Sequence, residues 1–393
     1  MKSNIKALSN DLFKETLEVR RYLHKHPELS FNETKTTAYL AQTIESLGLP
    51  IITKYADTGL VTKIEGRNPS KKSVLLRADI DALPIEEQNE VDYCSENKGV
   101  MHACGHDVHT ASLLTAIKIL FQLKNQFEGT VWCVFQPAEE KLPGGAKQMI
   151  DSGLLKDIQP VVVIGQHTMP NIEAGKIGIR AGYYMASTDE IYLTIKGKGG
   201  HAALPHEITD TVLLSSELIV KMQQIVSRFV PAFIPTVLSF GKIMANGATN
   251  IIPDEVRIEG TFRTMNEGWR KKVHKKIEEI VQLESDSFGT DFDLEIRHGY
   301  PVLYNDPQAV DRFKKQAIEF MGVENVLDLD IRMTAEDFAY YSHEVPSVFY
   351  RLGTGNKAKG ITFPLHSSKF DVDEEVMRFA PGLLAHAALT FLL

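Results

Sequence analysis

The segment Met101–His109, with the sequence MHACGHDVH, holds the residues of this chain best suited to chemistry. Cys104 and His106 are separated only by Gly105, a residue type that lacks a Cβ and tolerates positive φ angles. Such a linker allows both side chains to approach one point, and thiolate and imidazole are both good ligands for zinc-like ions. Taken alone, the pair is better explained as a buried cysteine beside surface histidines, so the elements that would position it decide the interpretation.

Three apolar runs predict buried strands that end in residues able to bind metals. The runs are VLLRADIDALP (74–84), TVWCVFQPAEE (130–140) and VVVIGQH (161–167). Continuously apolar strands are typical of a parallel sheet covered by helices on both faces. The polar residues at their ends are Asp79 and Asp81, Glu139 and Glu140, and His167. Because sites in open α/β sheets lie beyond the carboxyl ends of the strands, we expect these side chains to meet at one edge.

These residues predict a site for two metal ions. The candidate ligands are Cys104, His106, Glu140, His167 and His366, the last in a predicted loop at 362–370. Two ions need about this many protein ligands when water fills the remaining positions, and a thiolate or a carboxylate can bridge them. Each residue also has a structural alternative, such as a histidine bonded to a carbonyl or a solvated glutamate. Their predicted convergence on one sheet edge favours the metal site.

The neighbouring acids at this edge are predicted to have different roles. Adjacent glutamates point in different directions, so one of Glu139 and Glu140 can bind metal while the other takes a proton from water as a general base. Asp79 is predicted to fix the ring orientation of a ligand histidine without binding the metal itself, with Asp81 as the competing choice. The remaining polar residues of the central motif, predicted to be supporting or solvated, are His102, Asp107 and His109.

The sequence pattern changes near residue 185 and changes back near 297. EIYLTIK (190–196) and VRIEGTFRT (256–264) alternate between apolar and polar residues, which predicts antiparallel strands with one exposed face. Helical spacing is predicted at about 8–24, 33–47, 107–124, 207–229, 267–287, 307–321 and from 373 onward, and a further buried strand at 345–353. The predicted fold class is α/β, with a mostly parallel sheet in residues 1–184 and 297–393 and an inserted α+β domain at 185–296.

Composition restricts the class of protein. The 393 residues are 43% hydrophobic and 24% charged, and the net charge is −8 without a basic run, which argues against nucleic-acid binding. No window approaches the roughly 18 apolar residues of a membrane span, and the N-terminal segment lacks the features of a signal peptide. Three cysteines are too few for a disulfide framework in a chain of this length. We therefore expect a cytoplasmic protein with free thiols, without a membrane partner.

Six motifs together resemble one family of enzymes. They are RRYLHKHPELSFNE (20–33), LLRADIDALPI (75–85), MHACGHDVHTA (101–111), FQPAEE (135–140), GKGGHAALPH (197–206) and LHSSKF (365–370). This combination closely resembles the N-acyl-amino-acid amidohydrolase branch of the di-metal aminoacylase and carboxypeptidase superfamily. Hippurate hydrolases, indole-acetyl-amino-acid hydrolases and N-acetyldiaminopimelate deacetylases belong to that branch. The resemblance spans nearly the whole chain, in matching order.

The resemblance implies a di-metal peptidase-type catalytic domain with an inserted lid or dimerisation domain. By motif position it implies two divalent ions (zinc, manganese, cobalt or nickel) held by Cys104, His106, Glu140, His167 and His366. Glu139 takes the position of the general base and Asp79 that of the supporting acid. Related peptidases have a His-x-Asp motif here. In this chain Arg77 stands at the histidine position, and His106 is expected to supply the imidazole.

The inserted domain is expected to contribute to the reaction as well. His201 resembles the histidine that polarises the scissile carbonyl across a lid or dimer interface. Asn250 and Arg263 resemble residues that face the substrate, and a guanidinium suits a substrate carboxylate. The alternation of residues 256–264 by itself says only that Arg263 lies on the polar face.

These observations predict a metal-dependent amidohydrolase that splits small N-acyl amino acids into a carboxylic acid and a free amino acid. The family resemblance implies a homodimer or a higher homo-oligomer. A dipeptidase or carboxypeptidase on the same scaffold is the alternative enzyme. A hydrolase with Cys104 as nucleophile leaves Glu140, His167 and His366 without a role, and a binding protein that has kept the fold leaves Glu139 without one.

Overall fold

The computed structural model describes residues 2–393, which fold as two compact units. The first runs up to Gly182 and also contains Tyr304–Asp330 and Asp337–Leu393, whereas the second contains Tyr183–Leu303 and Ile331–Glu336. None of the helices among the described residues combines the length and apolar character needed to cross a membrane.

The regular elements are numbered in chain order. The α-helices are α1 (Lys2–Asp11), α2 (Phe13–Lys25), α3 (Thr34–Ser46), α4 (His106–Gln122), α5 (Gly145–Asp151), α6 (Leu154–Ile158), α7 (Thr211–Gln224), α8 (Glu267–Phe288), α9 (Pro307–Met321), α10 (Ala339–Glu344) and α11 (Ala380–Leu392). The strands are β1 (Leu60–Glu65), β2 (Ser73–Asp79), β3 (Thr130–Gln136), β4 (Val163–Glu173), β5 (Ile177–Ile179), β6 (Gly182–Met185), β7 (Asp189–Lys196), β8 (Gly200–His201), β9 (Thr236–Ala245), β10 (Ile251–Ile252), β11 (Glu255–Thr264), β12 (Asp291–His298), β13 (Leu303–Asn305), β14 (Val326–Asp328) and β15 (Ser347–Gly355).

A seven-stranded sheet organises the first unit, in the order β1-β3-β2-β4-β15-β5-β14. The central strands β3, β2, β4 and β15 are parallel, whereas β1 and β5 are antiparallel to their neighbours β3 and β15. Every residue of β2 after Ser73 is buried, as expected for a strand covered on both faces. Helix α4 packs against β2 and contacts α2 and α11. The predicted mostly parallel α/β architecture is confirmed.

The second unit contains a four-stranded antiparallel sheet in the order β12-β7-β11-β9. The alternation predicted for β11 is confirmed, since Val256, Ile258 and Phe262 are buried in a core with residues of α7 and α8. Strand β12 continues through the domain boundary predicted at 296, because Ile296 still pairs with Ile191 and His298 with Asp189. The first segment of the unit therefore runs to Leu303, and Ile331–Glu336 also belong to the unit. The role of this region as a lid or dimerisation domain stays a prediction.

Two predicted helices differ from the observed ones at their ends. The helix predicted at about 8–24 is two helices, α1 and α2, which meet at Leu12. The helix predicted from 373 begins as a 3₁₀ turn at Glu374–Arg378, where the Asp373 side chain accepts a hydrogen bond from the backbone N–H of Glu375. Helix α11 itself begins only at Ala380, with Pro381 in its first turn, a position where proline is favoured because its missing N–H would be unpaired there.

Candidate metal centre

Three neighbouring strands bring the predicted residues to one edge of the first unit's sheet. Strands β2 and β3 end level with each other, with Asp79 paired to Gln136, and β2 also pairs with β4 through Arg77 and Gly165. The loops that follow β2 and β3 carry Asp81 and the two adjacent glutamates. The expected convergence at the carboxyl ends of parallel strands is therefore observed.

His167 reaches this edge from inside a strand rather than from its end. Strand β4 was predicted to end at 167 but continues to Glu173, because β15 runs alongside it and pairs Arg351 with His167 and Leu352 with Thr168. The His167 ring is buried, and its Nδ1 lies 2.8 Å from the Thr168 carbonyl oxygen. Its other nitrogen, Nε2, is left facing the site.

Gly105 allows the Cys104–His106 pair to form, as predicted. Its φ of +80° lies in the left-handed region, and a Cβ at this position would lie 2.6 Å from Thr168 Oγ1. The turn starts helix α4 at His106 and leaves Cys104 just before it. Cys104 Sγ consequently lies 3.3 Å from His167 Nε2.

The His106 ring is oriented by Asp81. Its Nδ1 lies 2.9 Å from the Asp81 carbonyl oxygen and 3.2 Å from Asp81 Oδ1, whereas Nε2 makes no hydrogen bond among the described residues. Burial opposes a charge on this ring, but the neighbouring Asp79 and Asp81 raise the pKa of His106 to about 10. The surroundings of Nε2 thus favour a positive charge, whether a proton or a metal ion.

Asp79 orients a different histidine. Its Oδ1 accepts a hydrogen bond from His109 Nδ1 at 2.5 Å, and its Oδ2 accepts one from Arg77 Nη1 at 2.7 Å. The backbone N–H of Thr168 donates to His109 Nε2, which fixes the proton of this ring on Nδ1. Asp79 Oδ2 lies 3.6 Å from His106 Nε2, but the acid that contacts His106 Nδ1 and orients the ring is Asp81, the competing choice from the sequence. Asp79 instead joins β2 to β4 through His109.

The two adjacent glutamates sit in a tightly held loop. Glu140 donates its backbone N–H to Asp81 Oδ2 at 3.0 Å, and Glu139 Oε1 lies 3.4 Å from the backbone nitrogen of Asp337. Glu140 Oε1 makes no hydrogen bond among the described residues, although it lies 3.9 Å from His106 Nε2. Potential ligand atoms of His106, Glu139 and Glu140 all lie within 4.8 Å of one another.

His366 completes the cluster from the loop before α11. Its backbone has a φ of +65°, and its N–H donates to the Ala103 carbonyl oxygen at 2.8 Å. The side chain is half-exposed, and its Nε2 lies 3.4 Å from Glu140 Oε1, which raises the pKa of His366. Ligand atoms of Cys104, Glu140 and His366 lie within 4.8 Å of one another, as do those of Cys104, His106 and His167.

The donor set fits divalent metal ions. It combines a thiol, three imidazoles and a carboxylate, which are the ligand types of zinc and similar ions. His106 Nε2 and Glu140 Oε1 are buried atoms that make no hydrogen bond within residues 2–393, and such atoms normally have partners in native proteins. Burial, together with Glu140 and Glu139, raises the pKa of the Cys104 thiol, so a nearby cation would be needed to hold it as a thiolate. Each observation is accounted for by a cation at this position.

Comparison with known proteins identifies the family. The family model described as peptidase family M20/M25/M40 matches residues 75–390. The chain belongs to this family. It is 40% identical over 306 residues to an N-acyl-L-amino acid amidohydrolase of Geobacillus stearothermophilus, covering 78% of this chain and 82% of that protein. It is 35% identical over 392 residues to thermostable carboxypeptidase 2 of Saccharolobus solfataricus, covering 99% and 97% of the two chains.

A solved structure supports the same assignment. The YXEP protein of Bacillus subtilis, a dinuclear metal-binding peptidase of the M20 family, superposes on this chain with a TM-score of 0.81 at 30% sequence identity. The superposition covers 96% of this chain and 98% of the other. The mostly parallel sheet and the separate antiparallel sheet are thus those of an M20 peptidase.

The second unit of this M20 family member carries the other three predicted residues. His201 is exposed, pairs with Ile251 between β8 and β10, and accepts a hydrogen bond on Nδ1 from the Ala203 backbone at 3.1 Å. Asn250 is also exposed. It lies close to His201, because its carbonyl oxygen accepts the N–H of Ala202, the residue after His201, at 3.0 Å. Arg263 is half-buried, with Nη1 3.4 Å from the Met333 carbonyl oxygen. The substrate-related roles of all three stay predictions.

Of the two alternatives predicted for His109 and Asp107, supporting or solvated, the structure agrees with the supporting one. His109 is fully buried and bonds Asp79, and its spacing of three residues from His106 along a helix is the sequence signal for that position. Asp107 is likewise buried and binds Arg20 at 2.7 Å and His24 at 2.8 Å, which makes it part of the attachment of α2 to α4. Glu33 and Asp337 hold the loop of the two glutamates, and although Glu33 ends the motif at 20–33, neither contact with the loop has a local sequence signal.

His102 is the remaining residue of the central motif. It is buried rather than solvated, and neither of its ring nitrogens makes a hydrogen bond among the described residues. Burial lowers the pKa of His102 to about 4, so the ring is neutral at physiological pH. A neutral ring can be buried here at a lower cost than a charged one.

Proposed function

We propose that this M20 protein is a metal-dependent amidohydrolase that converts N-acyl amino acids into a carboxylic acid and a free amino acid. The observation that carries the proposal is the cluster of five potential metal ligands beside a second glutamate. Two buried atoms of this cluster have no hydrogen bond in the part of the chain that the structure describes. The name of the Geobacillus relative supports the substrate class. The name of the Bacillus neighbour supports a dinuclear site.

In this proposal Cys104, His106, Glu140, His167 and His366 hold two divalent ions. Sulfur, imidazole and carboxylate ligands together suit zinc, and manganese, cobalt or nickel can occupy such sites. When bound, the ions supply Lewis acidity that polarises the amide carbonyl and lowers the pKa of a water molecule toward about 7. The fixed ligands His106 and His167 would need little rearrangement, since Asp81 and the Thr168 carbonyl already hold their Nδ1 atoms.

Glu139 is proposed as the general base. A carboxylate adjacent to a metal ligand can accept the proton of the attacking water and then donate it to the leaving amide nitrogen. Glu139 is buried, and its carboxylate belongs to the same group of close ligand atoms as His106 and Glu140. This proximity places the Glu139 carboxylate within reach of a water molecule bound at the proposed metal position.

The second unit is proposed to contribute substrate contacts. His201 would stabilise the negative charge that develops on the carbonyl oxygen, and Asn250 and Arg263 would bind the amino-acid part of the substrate. We propose Asp79 as the supporting acid, acting through His109 and Arg77. We also infer a homodimer or a higher homo-oligomer, which sedimentation of the purified protein tests directly. The location that we infer is cytoplasmic.

Replacement of the proposed base is the decisive experiment. Glu139→Gln keeps the size of the side chain but cannot accept a proton, so kcat for N-acetyl and N-benzoyl amino acids should fall by at least about 1,000-fold. Metal content, measured by plasma mass spectrometry, should stay at the wild-type value. Wild-type kcat in this variant, or no release of amino acid by the wild type with any of the four metals, would contradict the proposal.

A carboxypeptidase or dipeptidase is the alternative, which the name of the Saccharolobus relative favours. The two activities differ in whether the acyl group carries a free amino group. Rates on N-acetyl-methionine and on alanyl-methionine, measured with the same metal-loaded enzyme, separate them. A higher kcat/KM for the dipeptide would replace the proposed substrate class without changing the proposed base.

A further inference from the structure

Glu33 is a fully buried acid whose sequence motif has no role in the proposed chemistry. It lies at the end of the segment RRYLHKHPELSFNE, and its carboxylate is bonded within the first unit. Oε1 accepts the backbone N–H of Ala138 at 2.8 Å, and Oε2 accepts the Thr58 hydroxyl at 2.6 Å. A buried carboxylate is costly unless its oxygens are paired in this way, so its position requires an explanation.

The partner residue, Ala138, has an unusual backbone conformation. Its φ is +50°, in the left-handed region, which costs an alanine roughly 1–2 kcal/mol. Ala138 immediately precedes Glu139, so a relaxation of this residue would turn the Glu139 side chain away from the cluster of ligands. The contact from Glu33 to the Ala138 N–H opposes that relaxation.

Neighbouring contacts hold the rest of the same loop. Pro137 packs against Gly59, where a Cβ would lie 2.6 Å from Pro137 Cδ, and the Ala138 carbonyl oxygen accepts the Gly145 N–H at 3.0 Å. Two further buried acids accept backbone N–H groups of the loop: Asp81 from Glu140 at 3.0 Å, and Asp337 from Ala146 at 2.9 Å.

Glu33 differs from these two acids in its other partners. Asp81 also contacts the His106 ring and Asp337 also binds Arg77, so each has a second role at the site. Among the described residues, the hydrogen bonds that the Glu33 carboxylate makes to other residues come from the Ala138 N–H and the Thr58 hydroxyl, and none comes from a proposed ligand or from the proposed base. Its direct bond to the site is therefore to the backbone on which Glu139 is mounted.

We propose that Glu33 is a positioning residue for Glu139, which it acts on by holding Ala138 in the left-handed conformation. The inference rests on the proposed function, because it assigns Glu33 to the reaction through the proposed base. Its consequence is specific: the loss of the Glu33 acceptor should impair proton transfer and leave metal binding and substrate affinity nearly intact.

Two variants of nearly equal size test this. Glu33→Met removes the hydrogen-bond acceptor, whereas Glu33→Gln keeps an oxygen for the Ala138 N–H and an amide that can donate to Thr58. We expect Glu33→Met to lower kcat for N-acetyl-methionine by about 10- to 100-fold, as small misplacements of catalytic groups do, with KM within about twofold. Glu33→Gln should recover most of the lost kcat, and metal content should match the wild type in both.

Hydrogen exchange of the loop gives a readout that does not depend on activity. Amide exchange in a peptide that covers residues 138–146 should be faster in Glu33→Met than in the wild type or in Glu33→Gln. If Glu33→Met does not fold, Thr58→Val, which removes the hydroxyl that holds Oε2, should show the same pattern to a smaller extent. Unchanged kcat and exchange in a folded Glu33→Met protein would overturn the inference, as would equal losses in the Met and Gln variants.

The inference and the proposed function fail in different ways. A wild-type enzyme that releases no amino acid from any N-acyl substrate contradicts the proposed function, and the exchange measurement then decides the positioning of the loop alone. An active wild type whose Glu33→Met variant keeps its kcat contradicts only the inference.

Discussion

Two clusters of acids and histidines, one in each unit, differ in whether their buried polar atoms have hydrogen-bond partners. In the first unit, the cluster of proposed ligands contains two buried atoms, His106 Nε2 and Glu140 Oε1, that have no hydrogen bond among the described residues. The second cluster consists of Asp189, His274 and His298, and its potential ligand atoms also lie within 4.8 Å of one another. By proximity alone, both would be candidate metal sites.

The second cluster already contains its own cation. Asp189 accepts hydrogen bonds from Arg270 Nε at 2.9 Å and Nη2 at 2.5 Å, from His274 Nε2 at 2.7 Å and from the Gly299 N–H at 3.2 Å. Arg270 neutralises the acid and would repel a metal ion. The cluster therefore joins α8 to the start of β7 and the end of β12. Ligand atoms without hydrogen-bond partners, rather than clustering alone, distinguish the proposed metal centre.

The largest expected effect separates the two clusters by metal content. His106→Ala removes a ligand whose ring is already oriented for binding, so the bound metal should fall by at least one ion per chain and kcat by at least about 1,000-fold. His274→Ala should leave metal content unchanged, because Arg270 occupies the position of a cation. Plasma mass spectrometry after dialysis against buffered zinc measures both. Loss of metal in His274→Ala would show that the second cluster is a binding site.

The second prediction concerns the stability of the saturated cluster. Asp189→Ala leaves the buried Arg270 with only the partly exposed Glu267 as an acidic partner, which should cost about 3–5 kcal/mol of unfolding free energy. The fluorescence of Trp269, which packs against the core of the second unit, reports its unfolding in urea. A Trp132→Phe background removes the signal of the other tryptophan. A change below about 1 kcal/mol would mean that Arg270 finds other partners.

The backbone of the metal centre was predictable because its determinants are local. Continuous apolar runs defined β2, β3 and β4, and Gly105 indicated the turn between Cys104 and His106. The end of β4 was not predictable in the same way, since the pairing with β15 that extends it to Glu173 depends on residues nearly two hundred positions later. Sequence patterns report a strand's burial better than its length.

The supporting contacts were less accessible to sequence reasoning. Asp79 and Asp81 are two residues apart and chemically identical, and only the fold shows that Asp81 lies behind His106 while Asp79 holds His109. The contact from Glu33 to Ala138 joins segments about a hundred residues apart and has no periodicity. Such contacts follow from how the loops are packed, which a single sequence does not encode locally.

The third prediction uses the pH dependence of the saturated cluster. Burial opposes the charge on Asp189, but Arg270 and His274 outweigh it and lower the pKa of Asp189 to about 2, from an ordinary value near 3.9. A lowered folded-state pKa gives stability that is present above pH 4 and is lost as the pH falls toward 2. The loss should reach about 2.5 kcal/mol. Urea unfolding followed by Trp269 in the Trp132→Phe background should show this loss when Asp189 is present but not in Asp189→Asn.

The smallest expected effect tests the orienting contacts of the metal centre. Asp81→Asn replaces one carboxylate oxygen by an amide NH₂. Because the carboxylate contacts both the His106 ring and the Glu140 N–H, two proposed ligands lose part of their support. The His106 Nδ1 keeps the Asp81 carbonyl oxygen as an acceptor, and the ligands themselves remain. Zinc affinity should therefore fall only about 10- to 100-fold, the usual cost of changing an outer partner of a metal ligand. Competition with a fluorescent chelator measures it, with the exposed Asp57→Asn as a matched control. Wild-type affinity in Asp81→Asn would mean that the Asp81 backbone carbonyl alone orients His106. The proposed metal centre, like the Asp189 cluster, would then depend on the direct contacts of its own groups, and the Asp81 carboxylate would not be needed.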